Sequence, residues 1–316
     1  MKDSFGREIK YLRLSITELC NLRCRYCMPE DGVCKKSHGD MLTAEEMIMA
    51  VRAAASLGIK KIRITGGEPL VKRNVVDLCR SIAEVEGIDE VCITTNATLL
   101  KDMAIPLRKA GVSHVNLSMD TLNEEKYRYI TRRGELRDAL EGMEAALSAG
   151  FDKVKLNAVL IGGFNDDEIP AIAELSRKYP IDVRFIELMP MHDGGEFGQS
   201  AYIPCAKVLE YLPDAEKIGQ EGVAAMYRLS GALGRIGLIS PVSAHFCGTC
   251  DRLRLTADGK LKPCLHSPVE YPIKGMTEEQ MAEEMKRAIL SKPACHDELS
   301  ATQRSNAGRN MNRIGG

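Results

Sequence analysis

The stretch Ile59-Lys60-Lys61-Ile62-Arg63-Ile64-Thr65-Gly66-Gly67-Glu68-Pro69 reads as one β-strand, 59–65, that stops at a glycine pair and a proline turn. A helical pattern follows at 74–86, so the stretch opens a βα unit from which the rest of the chain can be read. Upstream, a strand at 11–17 and a helix at 44–57 make the same pair. Downstream, strands at 91–95, 114–118, 154–161 and 183–188 alternate with helices at 101–110, 124–131, 136–149 and 167–178. Gly58, Gly111 and Gly150 stand where helices should end. About six βα units predict a parallel sheet with crossover helices, either doubly wound or curled into a barrel. The alternation weakens after Met191: 192–200 is polar and Gly-rich, and short hairpin-like runs take over from Gly222, with one late helix at 282–290. The expected division is 1–190 and 191–316.

The 316 residues suit two domains, or one barrel with an appendage, at about 150 residues per domain. Lys plus Arg is 43 against 44 for Asp plus Glu, which excludes a polyanion binder with an electropositive surface all round. Any anion site has to be built locally, and no nucleic-acid partner is expected. Hydrophobic residues at 44% and charged residues at 28% exclude a disordered or fibrous chain. No run of about 18 apolar residues offers a membrane span, and residues 1–10 lack the apolar core of a signal peptide. The reading is a cytoplasmic protein with no membrane partner.

Eleven cysteines cannot all pair with one another, and in a reducing compartment clustered thiols are metal ligands or catalytic groups before they are disulfides. Cys20, Cys24 and Cys27 follow the first strand with C-x3-C-x2-C spacing. Three thiolates from one loop can hold three corners of an iron-sulfur cube and leave the fourth iron open; the alternative is a structural zinc with a distant fourth ligand. Cys247, Cys250 and Cys264 form a second set that alone fits a zinc ribbon, with His245 or His266 as fourth ligand, as well as a second open cluster. Cys34, Cys79, Cys92, Cys205 and Cys295 share no spacing and read for the most part as buried thiols. Gly66 and Gly67 would let the backbone approach a ligand, with the Glu68 carboxylate free to accept from an ammonium group.

The first cysteine set, with Tyr26 before its last member and Gly66-Gly67-Glu68-Pro69 after the second strand, resembles the radical S-adenosylmethionine enzymes. The run from Phe246 to Gly259, with Cys264 and the terminal Gly315-Gly316, resembles the GTP 3′,8-cyclases of molybdenum cofactor biosynthesis, and the likeness extends from Phe5-Gly6-Arg7 to the last residue. Asp251 stands where family members often carry Asn. The resemblance implies a lyase with an incomplete (β/α)6 barrel of the triose-phosphate-isomerase type, closed by a C-terminal iron-sulfur segment. It implies two 4Fe-4S clusters, on Cys20, Cys24 and Cys27 and on Cys247, Cys250 and Cys264, with S-adenosylmethionine at the first. A 5′-deoxyadenosyl radical would take the ribose C3′ hydrogen of GTP, and C3′ would then attack C8 of guanine. Tyr26, Gly67, Ser118 and Met189 match positions contacting S-adenosylmethionine. Arg13, Arg63, Thr94, Lys155, Arg252, Leu253 and Arg254 match the GTP side, and Arg252, Arg254, Gly315 and Gly316 are the catalytic candidates. The resemblance also implies an electron donor, a homodimer, and a product passed to the cyclic pyranopterin monophosphate synthase.

A triphosphate gives those cations a physical reason, since guanidinium forks match phosphate oxygens and a neutral protein must concentrate charge where the phosphates lie. Arg13, Arg63 and Lys155 alternate with apolar residues in strands, so a charge facing a barrel core needs a partner. The polar tail, 300–316, could fray, but the resemblance implies that it enters the barrel. Two rivals are a peptide-modifying radical enzyme and an iron-sulfur or zinc-stabilised electron carrier. The first usually shows more C-terminal cysteines than three; the second gives no reason for the Gly-Gly-Glu-Pro turn or for Arg252 and Arg254.

Overall fold

The computed structural model describes residues 1–33, 37–191, 197, 199–296, 299 and 305–315, so that Cys34, residues 192–196 and Gly316 lie outside the described part. Six parallel strands carry the N-terminal part: β1 Tyr11–Ser15, β2 Lys61–Thr65, β3 Glu90–Thr95, β4 Val112–Ser118, β5 Lys153–Leu160 and β6 Asp182–Glu187. Between them run α1 Ala44–Ser56, α2 Val75–Ala83, α3 Ala104–Lys109, the pair α4 Glu124–Thr131 and α5 Leu136–Ser148, and α6 Ile169–Lys178. The six expected units are present, with ends that differ from the sequence reading by a few residues.

Strand alternation sorts the residues onto two faces. Leu12 and Leu14 of β1, Ile62 and Ile64 of β2 and Leu117 of β4 are buried in the main apolar core. Tyr11, Arg13 and Ser15, two residues apart, take the opposite, inner face, as do Lys61, Arg63 and Thr65 in matching register. The inner wall is therefore polar, while the apolar core lies outside it among the helices.

The C-terminal part adds α7 Val208–Tyr211, β7 Glu216–Glu221, β8 Ala224–Arg228, β9 Arg235–Ile239, β10 Arg252–Leu255, β11 Lys260–Lys262, β12 Tyr271–Pro272, α8 Glu278–Leu290 and α9 Met311–Ile314. The strand order is β12-β11-β10-β1-β2-β3-β4-β5-β6-β9-β8-β7, a partial, unclosed barrel-like sheet. Hairpin pairing is antiparallel as the sequence suggests, yet β10 also joins β1 in parallel and β9 joins β6 in parallel. Four or five alternating residues such as those of β9 and β10 look the same in either pairing, so the sequence does not separate them. The C-terminal part thus flanks the N-terminal sheet on both edges. α8 starts earlier than expected because Thr277 and Gln280 form a capping box, which extends it to Glu278. Among the described residues no helix is long and apolar enough to cross a membrane.

Candidate functional site

The loop after β1 carries Cys20, Cys24 and Cys27. Its backbone is tied to the end of α4, where the Thr131 and Ile130 carbonyls accept from the N–H groups of Arg23 and Arg25. Arg23 Nη1 donates to the Cys20 and Leu22 carbonyls at 2.6 and 2.8 Å. Across the loop, Gly67 N and Glu68 N donate to the Thr17 and Leu19 carbonyls, both at 2.8 Å. A Cβ on Gly67 would stand 2.3 Å from the Leu19 oxygen, so the second glycine is required by backbone approach to the cysteine loop. The pair seats the loop, and the buried Glu68 carboxylate accepts from Leu70 N, Thr95 Oγ1 and Asn96 N, which fixes it against the end of β3. Burial pushes the Cys20 thiol up to about 11 and Cys27 to about 12. Thiols held neutral this way ionise when a metal replaces the proton, which fits an iron-sulfur cluster.

Tyr26 donates through its hydroxyl to Asp120 at 2.7 Å, and the other Asp120 oxygen accepts from Val159 N. Ser118 ends β4 opposite Asn157, and Met189 packs against Met191, Ala307 and Ile314, which links the strand ends to the tail. Asn96 reaches Cys20 Sγ at 3.9 Å and Asn21 Oδ1 at 2.9 Å. Asp120 and Asn96, just past the ends of β4 and β3, both support the first loop.

Cations converge on the inner wall. Arg13 stands opposite Arg63 in β2 and Arg254 in β10, and Tyr11 opposite Arg252. Arg63 Nε donates to the Tyr11 hydroxyl, and Arg63 and Arg252 lie over the Tyr11 ring at 5.8 and 5.7 Å. Burial pushes Arg13 well below its ordinary value, and Arg254, Arg252 and Arg63 push the same way. Burial together with Arg252 lowers Arg254 to about 10. Among the described residues no carboxylate pairs with Arg63, Arg252 or Arg254. Arg63 Nη1, Arg252 Nε, Thr94 Oγ1, Asn116 Oδ1, Asn157 Oδ1 and Arg184 Nε are buried without a hydrogen-bond partner. The guanidinium donors in this set fit an anionic ligand and the two amide oxygens a ligand that also carries donors, because buried polar atoms are costly until a partner reaches them. Leu253 turns its side chain into the apolar core, so only its backbone can face that space.

Lys155 is placed differently. Its Nζ donates to Glu221 of β7 at 2.8 Å, and Glu221 also pairs with Lys153, Arg184 and Arg235. Arg184, Glu221, Asp182 and Arg235 carry no motif, and the sequence reading missed them.

The second cysteine loop is anchored by Arg7, which donates to the carbonyls of Cys247, Ala294 and Pro293 and is held by Asp3. Only the place of Phe5-Gly6-Arg7 in the resemblance hinted at it. Asp251 offers its backbone carbonyl to Tyr11 N. Cys79, Cys92 and Cys205 are buried as expected, whereas Cys295 is exposed, since it leaves α8 on a surface turn.

The tail does not fray where it is described. Arg309 pairs with Asp258 and Glu270, Lys262 Nζ donates to the Ala307 carbonyl, and Asn312 Nδ2 donates to the Glu18 carbonyl. The Asn312 backbone N–H reaches the Cys27 thiol. Arg254 Nη1 donates to the Gly315 carbonyl at 2.6 Å. Gly315 has φ +89°, and a Cβ there would meet Thr65 Oγ1 at 2.5 Å, so this position demands glycine twice over. The tail therefore runs from the first cysteine loop to the arginines beside the second.

Two family models match the chain: Radical SAM superfamily over 14–176, and Molybdenum Cofactor Synthesis C over 181–298. The GTP 3′,8-cyclases of Alkaliphilus oremlandii and Moorella thermoacetica are each 47% identical, over 321 and 330 residues, with full coverage of both chains. That of Peptoclostridium acidaminophilum is 50% identical over 277 residues, 86% of this chain and 85% of its own. Among solved structures, Streptococcus suis SuiB bound to S-adenosylmethionine aligns with TM-score 0.65 at 16% identity, over 91% of this chain and 65% of that one. AnSMEcpe with bound AdoMet aligns with TM-score 0.60 at 18% identity, over 89% and 82%. At such identities these two structures share the fold alone.

Proposed function

Because this chain belongs to the GTP 3′,8-cyclase family of radical S-adenosylmethionine enzymes, we propose that its cationic inner wall holds the triphosphate of GTP between the two cysteine triplets. The reaction is the radical cyclisation of GTP to (8S)-3′,8-cyclo-7,8-dihydroguanosine 5′-triphosphate in molybdenum cofactor biosynthesis. Its cofactors are S-adenosylmethionine and two 4Fe-4S clusters. When bound, they supply a 5′-deoxyadenosyl radical able to take the ribose C3′ hydrogen.

The single observation behind the placement of GTP is the arginine group of β1, β2 and β10, in which Arg63, Arg252 and Arg254 make no ion pair with a described carboxylate. A triphosphate restores the missing acceptors there, with Arg13, Thr94, Lys155 and the Leu253 backbone completing the contacts. Cys20, Cys24 and Cys27 hold the first cluster, and Tyr26, Gly67, Ser118 and Met189 surround S-adenosylmethionine. Cys247, Cys250 and Cys264 hold the second cluster beside Arg254. Arg254 also fixes the Gly315 carbonyl, so the tail, ending in Gly316, excludes water and positions guanidinium and substrate together. Residues 1–190 then act as the radical-generating part and 191–316 as the substrate part. A cytoplasmic homodimer served by a low-potential electron donor, with the product handed to the cyclic pyranopterin monophosphate synthase, completes the reading.

Anaerobic reconstitution followed by incubation with S-adenosylmethionine, dithionite and GTP tests it. 5′-Deoxyadenosine formation that depends on GTP is expected; formation indifferent to GTP would instead favour the peptide-modifying rival. Removing Gly315 and Gly316 should leave iron content intact and abolish turnover, and unchanged activity would remove the tail from the mechanism.

A further inference from the structure

A ring nitrogen of His245, Cys247 Sγ and a ring nitrogen of His296 lie within 4.8 Å of one another, near enough for small side-chain movements to bring them onto one metal ion. His245 Nδ1 and His296 Nε2 are 3.1 Å apart. The Cys295 thiol hydrogen-bonds to Cys247 and so stands at the edge of the same group, though not within that distance of all three donors. Two thiols and two imidazoles gathered at one exposed corner are a zinc-type donor set, yet only Cys247 belongs to either cysteine triplet. Another metal-capable group, Glu90, Cys92 and His114, differs in one respect: Lys61 Nζ already stands 2.5 Å from Glu90.

We propose that, before its second cluster is built, this chain binds one Zn2+ through His245, Cys247, Cys295 and His296, and that this ion and the second 4Fe-4S cluster exclude each other because both need Cys247. The inference rests on the cyclase reading only in taking Cys247 as a cluster ligand. Zinc takes the two sulfurs as thiolates and the two imidazoles neutral, with the displaced protons leaving to solvent, so the occupied site carries no net charge. No electron is transferred. Cluster assembly must release the ion, so zinc supply sets how much of the chain can carry its second cluster.

The test uses the full-length, cluster-free chain with Cys20, Cys24 and Cys27 changed to Ala, its folding checked by circular dichroism, titrated with Co2+ and then Zn2+. One equivalent of Co2+ should give the intense visible bands of a tetrahedral site with sulfur-to-cobalt charge transfer, bleached by Zn2+. The double variant His245→Ala, His296→Ala should bind about 100-fold more weakly, while Cys264→Ala should bind as before. His296→Gln alone, a gentler change, should shift the bands and weaken binding. If Cys264→Ala loses the ion and the histidine variants keep it, the metal sits on the cysteine triplet as a ribbon and the proposal is overturned; no binding at all overturns it too. With the first triplet restored, one equivalent of Zn2+ during reconstitution should halve the bound iron and sulfide, and should not do so in the histidine variant. Unaltered iron uptake counts against the exclusion. Failure of the cyclase reading shows up separately, as missing GTP dependence.

Discussion

Two groups of cations share the inner wall and differ in what faces them. At β10, β1 and β2, Arg13, Arg63, Arg252 and Arg254 face Tyr11, the Gly315 carbonyl and one another. At β5, β6 and β9, Lys155, Arg184 and Arg235 face Glu221 and Asp182. The second group is matched by carboxylates, whereas Arg63, Arg252 and Arg254 of the first make no ion pair with a described carboxylate and are open to a ligand. Buried charge is tolerated only when paired, so the imbalance indicates where a polyanion goes more directly than a count of basic residues does. The Tyr11 phenol registers the same excess: burial raises it, but Arg63, Arg13 and Arg252 bring it below its ordinary value overall.

The sharpest way to break this contrast is Arg63→Ala. Losing a desolvated guanidinium from the unmatched group should weaken GTP binding about 100-fold by calorimetry, with urea stability barely changed because no carboxylate is left stranded. Glu221→Gln should do the reverse. Stripping the matched group of its partner should cost about 2 kcal/mol of unfolding free energy, discounted for the exposure of that carboxylate, while GTP affinity holds. If Glu221→Gln weakens GTP as strongly as Arg63→Ala, the two groups are one. Lys155→Ala should weaken GTP only about 10-fold, since its charge is already shared with Glu221.

The smallest expected effect is a pH dependence. Burial, then Arg184, lowers Lys155 to about 8. Below that pH the amine is charged and can bind phosphate; as pH rises through about 8 it loses its proton, so GTP affinity should fall a few-fold. Lys155→Arg should remove the slope between pH 7 and pH 9, because a guanidinium stays charged there. A slope that survives the substitution would assign the titration elsewhere.

Much of the site could be read locally. Cys20, Cys24 and Cys27 lie in one loop, Cys247 and Cys250 just before β10 and Cys264 just after β11, and Arg13 and Arg63 stand out because charges alternate with leucine and isoleucine in short strands. What escaped was compensation and anchoring over distance: Glu221 meets Lys155 from 66 residues away, and Arg7 holds Cys247 from 240 residues away. The bonds from Thr95 and Asn96, at the end of the next strand, to Glu68 were hidden for the same reason. Cys295 was grouped with buried thiols because its lack of spacing says nothing about exposure.

By itself the sequence determined the βα alternation, the cysteine triplets and the family, because strand period, glycine stops and ligand spacing are local properties of the chain. Tertiary structure alone decided which cations stay unmatched, which glycines are forced by contact, and that the tail lies between the two cysteine sites. Those depend on which strands become neighbours, and in a sheet that pairing brings together residues whose separation along the chain carries no signal.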